Sequence, residues 1–252
     1  MTDSTRGFYD DLAPGYHLIF PDWDASIARQ AEFFDRLVRD RLGPGPRRVL
    51  DCSCGIGTQA IGLARRGHRV VGSDLSPVAA ARASAEAAAR GLALPTVAAD
   101  MRRLPFAAST FDAVVCADNS LPHLLDAADV VTALRDMRRV LRDDGLLLLT
   151  LRDYDELRGA RPASTPPQVS QTPDGRVITF QLWHWRGEHY DLEHFQLVPS
   201  DGGWAVRQRR TTYWALSRGQ LTVCLADAGF GDVDWLGPES TGFYQPVVLA
   251  RR

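Results

Sequence analysis

The chain contains no lysine. Every one of its 29 basic residues, in a chain of 252, is arginine. That absence excludes a Schiff-base lysine and the lysine of a phosphate-binding P-loop, and with them pyridoxal-phosphate enzymes and ordinary P-loop kinases. Cysteine is scarce as well: Cys52, Cys54, Cys116 and Cys224 are the full set. One residue separates Cys52 from Cys54, where a zinc knuckle needs about two to four. The thiols read as core or pocket-lining groups, with neither metal nor disulfide expected. The histidines at 184, 189 and 194 fall on strand and turn signals and imply no metal either. No apolar run approaches the roughly 20 residues that span a bilayer. Met1-Thr2-Asp3-Ser4-Thr5-Arg6 has no apolar signal core, so a cytoplasmic protein is expected. Neither sign of charge dominates. A net charge of −2 gives no footprint for nucleic acid or an anionic membrane, which leaves a small molecule as the expected partner.

What is present points to one soluble α/β domain with an accessory element. Hydrophobic residues make up 45% and charged residues 24%, as in ordinary globular chains. The spacing predicts a helix over 24–42, broken by Pro44-Gly45-Pro46. Strand signals over 48–51, 69–74, 94–98, 112–117 and 145–151 then alternate with helix signals over 58–66, 77–90 and 126–141. Ser76-Pro77 starts a helix well and Gly91 stops one. Such alternation predicts a parallel sheet covered on both faces, with ligands at the strands' C-terminal ends. Residues 159–175 read as a Pro/Ser/Thr/Gly-rich loop. Three aromatic and β-branched segments follow at 176–186, 189–199 and 203–214, the last two joined by an Asp201-Gly202-Gly203 turn. They predict an antiparallel excursion. A helix over 217–228 and strands at 231–236 and 245–250 complete the chain.

The chemistry is concentrated at 49–58. Val49-Leu50-Asp51 is a buried strand ending in an acid, and Cys52-Ser53-Cys54-Gly55-Ile56-Gly57 is a two-glycine turn opening a helix. Such a turn lets backbone approach a ligand closely. Asp74, ending the next strand, stands where a carboxylate grips a ribose diol. Gly55, Gly57 and Ala60 also fit the relaxed dinucleotide fingerprint, so a dehydrogenase is a rival reading. Asp51 argues against it, because a carboxylate four residues before Gly55 would crowd a pyrophosphate and suits a ligand carrying positive charge. A third strand ends in Ala98-Ala99-Asp100-Met101, an acid and an apolar side chain suited to adenine. Asp at a strand end is often only a turn or cap residue. Three such acids at successive strand ends, beside this turn, are not explained that way.

This run of signals resembles the class I S-adenosylmethionine (SAM)-dependent methyltransferases, over Phe8 to Arg251. The resemblance implies a Rossmann-like seven-stranded sheet with an antiparallel last strand and an antiparallel β excursion after the fifth. It implies a single domain over 1–252: lid helices over 1–45, a SAM-binding core over 46–155, a substrate cover over 156–215 and a C-terminal part over 216–252. It also implies that Asp51, Ser53, Gly55 and Gly57 cradle the methionine part of SAM, with Leu75 and Ala117 beside it. Asp74 would hold the ribose, and Asp100 the adenine with Met101 packed nearby. Ser53 stands where many members carry Gly or Ala. Two further stretches, Cys116-Ala117-Asp118-Asn119-Ser120-Leu121-Pro122-His123-Leu124 and Leu151-Arg152-Asp153-Tyr154-Asp155, resemble the glycine N-methyltransferase branch. There the matching Asn and Arg bind an amino acid, which gives Asn119 and Arg152 substrate roles. Ala28-Arg29-Gln30-Ala31-Glu32-Phe33 resembles that branch too and offers Arg29 to the SAM carboxylate. Tyr16 would contact the sulfonium or the substrate, Tyr244 the substrate, and His123 would serve as a base. The implied activity is methyl transfer to the nitrogen of a small carboxylate-bearing amine. Two alternatives stand beside it. One is O-methylation of a larger natural-product intermediate, with Asp118 or His123 taking the proton. The other is a non-catalytic SAM-binding regulatory protein.

Overall fold

The computed structural model describes residues 3–173 and 175–252. A helix, α1 (Asp3–Leu12), runs into a 3₁₀ segment (Ala13–Ile19) and then α2 (Trp23–Leu42), whose N-terminus is capped by Asp22. The core alternates as the pattern predicts: β1 (Arg48–Asp51), α3 (Thr58–Arg65), β2 (Arg69–Asp74), α4 (Pro77–Ala89), β3 (Thr96–Ala98), β4 (Phe111–Cys116), α5 (Ala127–Val140) and β5 (Leu141–Thr150). A short helix, α6 (Tyr154–Ala160), leads to four antiparallel strands: β6 (Gln168–Thr172), β7 (Gly175–Arg186), β8 (His189–Ser200) and β9 (Gly203–Trp214). Then come α7 (Arg218–Asp227), β10 (Gly231–Leu236), α8 (Pro238–Thr241) and β11 (Val247–Arg251).

The main sheet has seven strands in the order β10-β11-β5-β4-β1-β2-β3. Its pairs from β3 to β5 are parallel, while β11 is antiparallel to both β5 and β10. The Rossmann-like fold with an antiparallel last strand is therefore present, as is the excursion. Strand alternation divides the core between the two faces. Leu50, Val114, Leu147 and Leu149 join the cluster under α5 and α7, which also takes in Trp183, Tyr190 and Tyr213 of the second sheet. Val49, Val115, Leu146 and Leu148 join the cluster under α2, α3 and α4.

Some elements depart from expectation. β3 starts at Thr96, after Pro95, which has no N–H to donate to a ladder. β5 begins at Leu141, with a register shift across Phe111 to Ala113 that absorbs the Asp143-Asp144-Gly145 turn. The segment read as a loop over 159–175 contains β6, an edge strand of mostly polar residues with no alternation to announce it. α6 was not anticipated; the Asp153 side chain caps it by accepting from the Glu156 N–H.

The contact of α2 with α3 fixes the first turn of the site. A Cβ on Gly62 would lie 2.7 Å from the Ala31 Cβ and 2.9 Å from the Ile27 carbonyl oxygen. Backbone cannot yield cheaply there. Gly62→Ala is expected to lower stability by roughly 1–3 kcal/mol despite alanine's better helix propensity. Denaturant unfolding checks this, and an unchanged midpoint would show that the two helices can separate freely.

Candidate active site

Turn chemistry builds the first wall. After β1 the chain needs left-handed backbone at Gly55 (φ 50°) and Gly57 (φ 97°), and glycine takes both without penalty. The Gly55 N–H donates to Asp74 Oδ2 at 2.8 Å, and the Ser76 N–H donates to Asp74 Oδ1 at 2.8 Å. The acid ending β2 thus holds the glycine turn in place. Asp51 is wholly buried (0% exposed) beneath this turn. Its Oδ1 accepts a long bond from the Ser53 N–H, 3.4 Å, and its Oδ2 has no partner among the described residues. Burial, reinforced by the charges of Asp74 and Asp118, pushes the Asp51 carboxyl up to about 8, and burial pushes Asp74 up to about 6. Ser53 and Leu75 are half-buried, while Ala117 and Met101 are buried. Asp100 lies apart, clamped by the Arg102 guanidinium at 2.6 Å and by the Arg102 backbone N–H.

The N-terminal segment closes over these residues. Asp10 accepts from Ser76 Oγ at 2.5 Å, Trp23 Nε1 donates to Thr58 Oγ1 at 2.9 Å, and Arg82 Nη2 meets His17 Nδ1 at 2.9 Å. The Tyr16 ring rests on the glycine turn, with Cε1 3.3 Å from where a Cβ on Gly55 would lie.

A cavity of about 770 Å³ lies between this lid, the ends of β4 and β5, and the inner face of the second sheet. It brings together Tyr16, Arg29, Asn119, Arg152 and Tyr244 of the expected site residues. Asp51, Ser53, Gly55, Gly57, Asp74, Leu75, Asp100, Met101 and Ala117 do not line it, and Gly55 lies under the Tyr16 ring. Arg29 reaches only Ser26 Oγ, at 3.0 Å.

The loop after β4 is stapled to the end of β5. Asp118 (φ 53°) and Asn119 (φ 67°) are successive left-handed residues, a conformation that Asp and Asn tolerate better than most. Thr150 holds both, its Oγ1 accepting from the Asp118 N–H at 2.9 Å and its carbonyl from the Asn119 N–H at 3.0 Å. Asn119 Oδ1 accepts in turn from the Arg152 backbone N–H at 3.1 Å. The Arg152 guanidinium donates to the Tyr190 hydroxyl at 2.6 Å and to Gln181 Oε1 at 3.3 Å. It lies 4.6 Å over the Trp183 ring and 5.4 Å over Tyr213. Among the described residues no carboxylate hydrogen-bonds or ion-pairs with it.

Tyr244, exposed at the mouth, donates to Asp118 Oδ1, and Gln59 Nε2 donates to Asp118 Oδ2 at 2.7 Å. Burial, opposed by these bonds, leaves the Asp118 carboxyl above its ordinary value. His123 does not line the cavity. It is 2% exposed behind Tyr9, whose hydroxyl meets Nε2 at 2.7 Å, and it packs on Tyr213 at 4.1 Å. Burial lowers its pKa to about 3, so the ring is neutral and meets the cavity wall from behind, through Tyr9 and Tyr213. His184 pairs with Glu193 and His189 with the Leu125 carbonyl, so the histidines of the second sheet do not converge. Tyr9, Gln30, Gln181, Leu192, His194 and Tyr213 also line the cavity and were not anticipated. Alternation along β8 alone would place 190, 192 and 194 on one face; which face meets the site depends on how the second sheet docks.

Residues 49–145 match a family model described as a methyltransferase domain. The glycine/sarcosine N-methyltransferase of Parasynechococcus marenigrum is 33% identical over 228 residues, 89% of this chain and 76% of that protein. The chain belongs to the class I SAM-dependent methyltransferases. The glycine/sarcosine N-methyltransferase of Aphanothece halophytica is 33% identical over 135 residues, a match spanning 50% of its length. Among solved structures, a sugar N-methyltransferase from a Streptoalloteichus species superposes with a TM-score of 0.74 at 25% identity, covering 90% of this chain and 87% of that one. The methyltransferase takes SAM as its cofactor. Its residues fit that group: an unpartnered carboxylate oxygen lies beneath a glycine turn held open by Asp74, as a ligand carrying positive charge requires.

A titration test follows. The Asp51 carboxyl binds its proton more tightly in the folded state (about 8) than at its ordinary value of 3.8. Its ionisation therefore destabilises the fold increasingly as pH rises from about 4 to about 8, and Asp74 adds the same sign up to about 6. Asp51→Asn is expected to raise the unfolding midpoint of the ligand-free protein at pH 8 and to leave it nearly unchanged at pH 4. Affinity for SAM should fall roughly 10- to 100-fold, the worth of a charge-assisted contact. Thermal unfolding and calorimetric titration read the two effects, and unchanged SAM affinity would remove Asp51 from the binding site.

Proposed function

We propose that this methyltransferase transfers the methyl group of SAM to the nitrogen of a small amine bearing a carboxylate. One observation carries the reading: Arg152, half-buried, presents its guanidinium to the cavity with only neutral partners among the described residues. A cation held that way lacks its natural counter-ion, and a planar fork matches a carboxylate. The relatives named above act on amines, and the Parasynechococcus protein is named for glycine and sarcosine.

When bound, SAM supplies an electrophilic methyl group on a positively charged sulfur. In this reading Asp51 and Arg29 take the ammonium and carboxylate of its methionine part. Ser53, Gly55 and Gly57 let backbone approach it, with Leu75 and Ala117 alongside. Asp74 takes the ribose hydroxyls, and Asp100 the adenine beside Met101. Arg152 then anchors the acceptor by its carboxylate. Asn119, fixed by the Arg152 backbone N–H, orients the amine, and Tyr16 and Tyr244 confine it. The amine nitrogen forms its bond to the methyl carbon as the carbon–sulfur bond breaks, with the electron pair passing to sulfur. The surplus proton then leaves the nitrogen for solvent. An amine that is neutral on arrival needs no strong base, which accords with a His123 buried away from the cavity. Alignment and exclusion of water are what the protein contributes, and they supply up to roughly 7–11 kcal/mol.

A second reading, O-methylation of a larger acceptor, has one observation in its favour. Asp118 lines the cavity with its carboxyl raised by burial and so is able to accept a hydroxyl proton.

Arg152→Ala is expected to lower kcat/KM for glycine roughly 10- to 100-fold while S-adenosylhomocysteine affinity stays unchanged. Arg152→Lys should recover little, because an ammonium cannot reproduce the fork. Turnover of glycine by Arg152→Ala at the wild-type rate would refute the carboxylate clamp. Turnover of a phenol but of no amine would favour the second reading.

A further inference from the structure

The inner face of the second sheet carries a polar row of which the carboxylate clamp uses only the Gln181 carbonyl oxygen. His194 on β8 stands directly opposite Gln181 on β7 and Arg209 on β9. Its side chain lines the cavity and is 4% exposed, yet neither ring nitrogen has a hydrogen-bond partner among the described residues; Nε2 is sealed from solvent without one. Nε2 is closed to a ligand, so Nδ1, unpaired but not sealed, is the ring nitrogen open to the cavity, and an unpaired polar atom on a cavity wall marks a place where a ligand supplies the partner. Gln181 adds a second group. Its Oε1 is committed to Arg152 Nη2 (3.3 Å) and Trp183 Nε1 (3.0 Å), which leaves its amide NH₂ as an unpaired donor in the same wall.

Burial, with the neighbouring Arg209 charge, holds the His194 pKa down to about 4. The ring is therefore neutral near pH 7, so its open Nδ1 is able to accept a hydrogen bond while the Gln181 NH₂ donates one. A hydroxyl, itself both donor and acceptor, is complementary to this pair. Arg209 is turned away to Gln196 at 3.0 Å and does not line the cavity.

We infer that His194 and Gln181 form a specificity subsite for a hydroxyl group on the acceptor, one strand from the carboxylate clamp at Arg152. The acceptor class is a carboxylate-bearing amine whose side chain ends in a hydroxyl, and this inference rests on the reading of Arg152 given above. Cavity size agrees with an acceptor larger than glycine: about 770 Å³ holds on the order of 25 waters at roughly 30 Å³ each.

The test uses matched acceptors that differ only in a hydroxyl for a methyl: serine with 2-aminobutyrate, homoserine with norvaline, and 5-hydroxynorvaline with norleucine. Transfer from SAM is followed by mass spectrometry. In at least one pair the wild-type protein is expected to favour the hydroxyl member about tenfold or more in kcat/KM, because a site built for a hydroxyl rejects its alkyl analogue. His194→Phe, which keeps the ring and loses both nitrogens, should bring the members of that pair within about threefold, with glycine turnover and S-adenosylhomocysteine affinity retained. His194→Leu serves the same purpose if the Phe variant does not fold. Equal turnover within every pair by the wild type, or an undiminished preference in the His194 variants, overturns the subsite while leaving the Arg152 reading intact. Methylation of no member of any pair, nor of glycine, overturns both.

Discussion

The architecture around the cavity depends on one half-buried cation. Arg152 leaves the end of β5, the strand that carries the main sheet's parallel order to its antiparallel edge. Its guanidinium is held entirely by the second sheet: Tyr190, Gln181 and the faces of Trp183 and Tyr213. Its backbone meanwhile fixes Asn119 and so the loop after β4. Cation–π contacts and neutral hydrogen bonds keep an arginine in place without neutralising it. The result joins two sheets and a loop while leaving a full positive charge at the cavity wall. A protein carboxylate in the same position would have joined the sheets as well and closed the site.

A second unsatisfied group, acidic this time, lies beneath the glycine turn. Asp51 is deeper than any ordinary turn acid, and the Gly55 N–H that might have reached it is given to Asp74 instead. An isolated buried carboxylate is expensive and stays protonated until a cation arrives. The two halves of the site thus carry complementary demands: an acidic half beneath the glycine turn and a basic half against the second sheet. The N-terminal segment rests on the first half through Tyr16 and Asp10 and on the second sheet through the Gly15 carbonyl, which accepts from Gln196. The proposed reaction places a cationic donor on one side and an acceptor held by its anionic end on the other.

How much of this was legible in the sequence depends on how local the information is. Gly55 and Gly57 are readable because left-handed backbone is demanded within one turn, and Asp51 and Asp74 because strand ends are marked by where apolar runs stop. The seven core strands and most of the core helices follow from the same short-range pattern. Asn119 and Arg152 were reachable only through family likeness, since nothing near Arg152 in sequence tells that Trp183 and Tyr190 will receive it. The row of Gln181, His194 and Arg209 is set by pairing register across β7, β8 and β9, a tertiary property. His123 sits beside the substrate loop in sequence, yet a 3₁₀ turn and the packing of Tyr213 carry its ring behind the wall. β6 and α6 escaped because one is a polar edge strand and the other is seven residues fixed by a single cap.

The central claim is that the Arg152 charge receives the acceptor's carboxylate across from the methyl donor. The most direct measurement is a crystal structure of the protein with S-adenosylhomocysteine and glycine. The account predicts the glycine carboxylate on the Arg152 guanidinium, with the amine beside Asn119 and facing the sulfur. Glycine bound with its carboxylate on Arg29 or elsewhere, and Arg152 still surrounded only by its own tyrosine, tryptophan and glutamine, would contradict it.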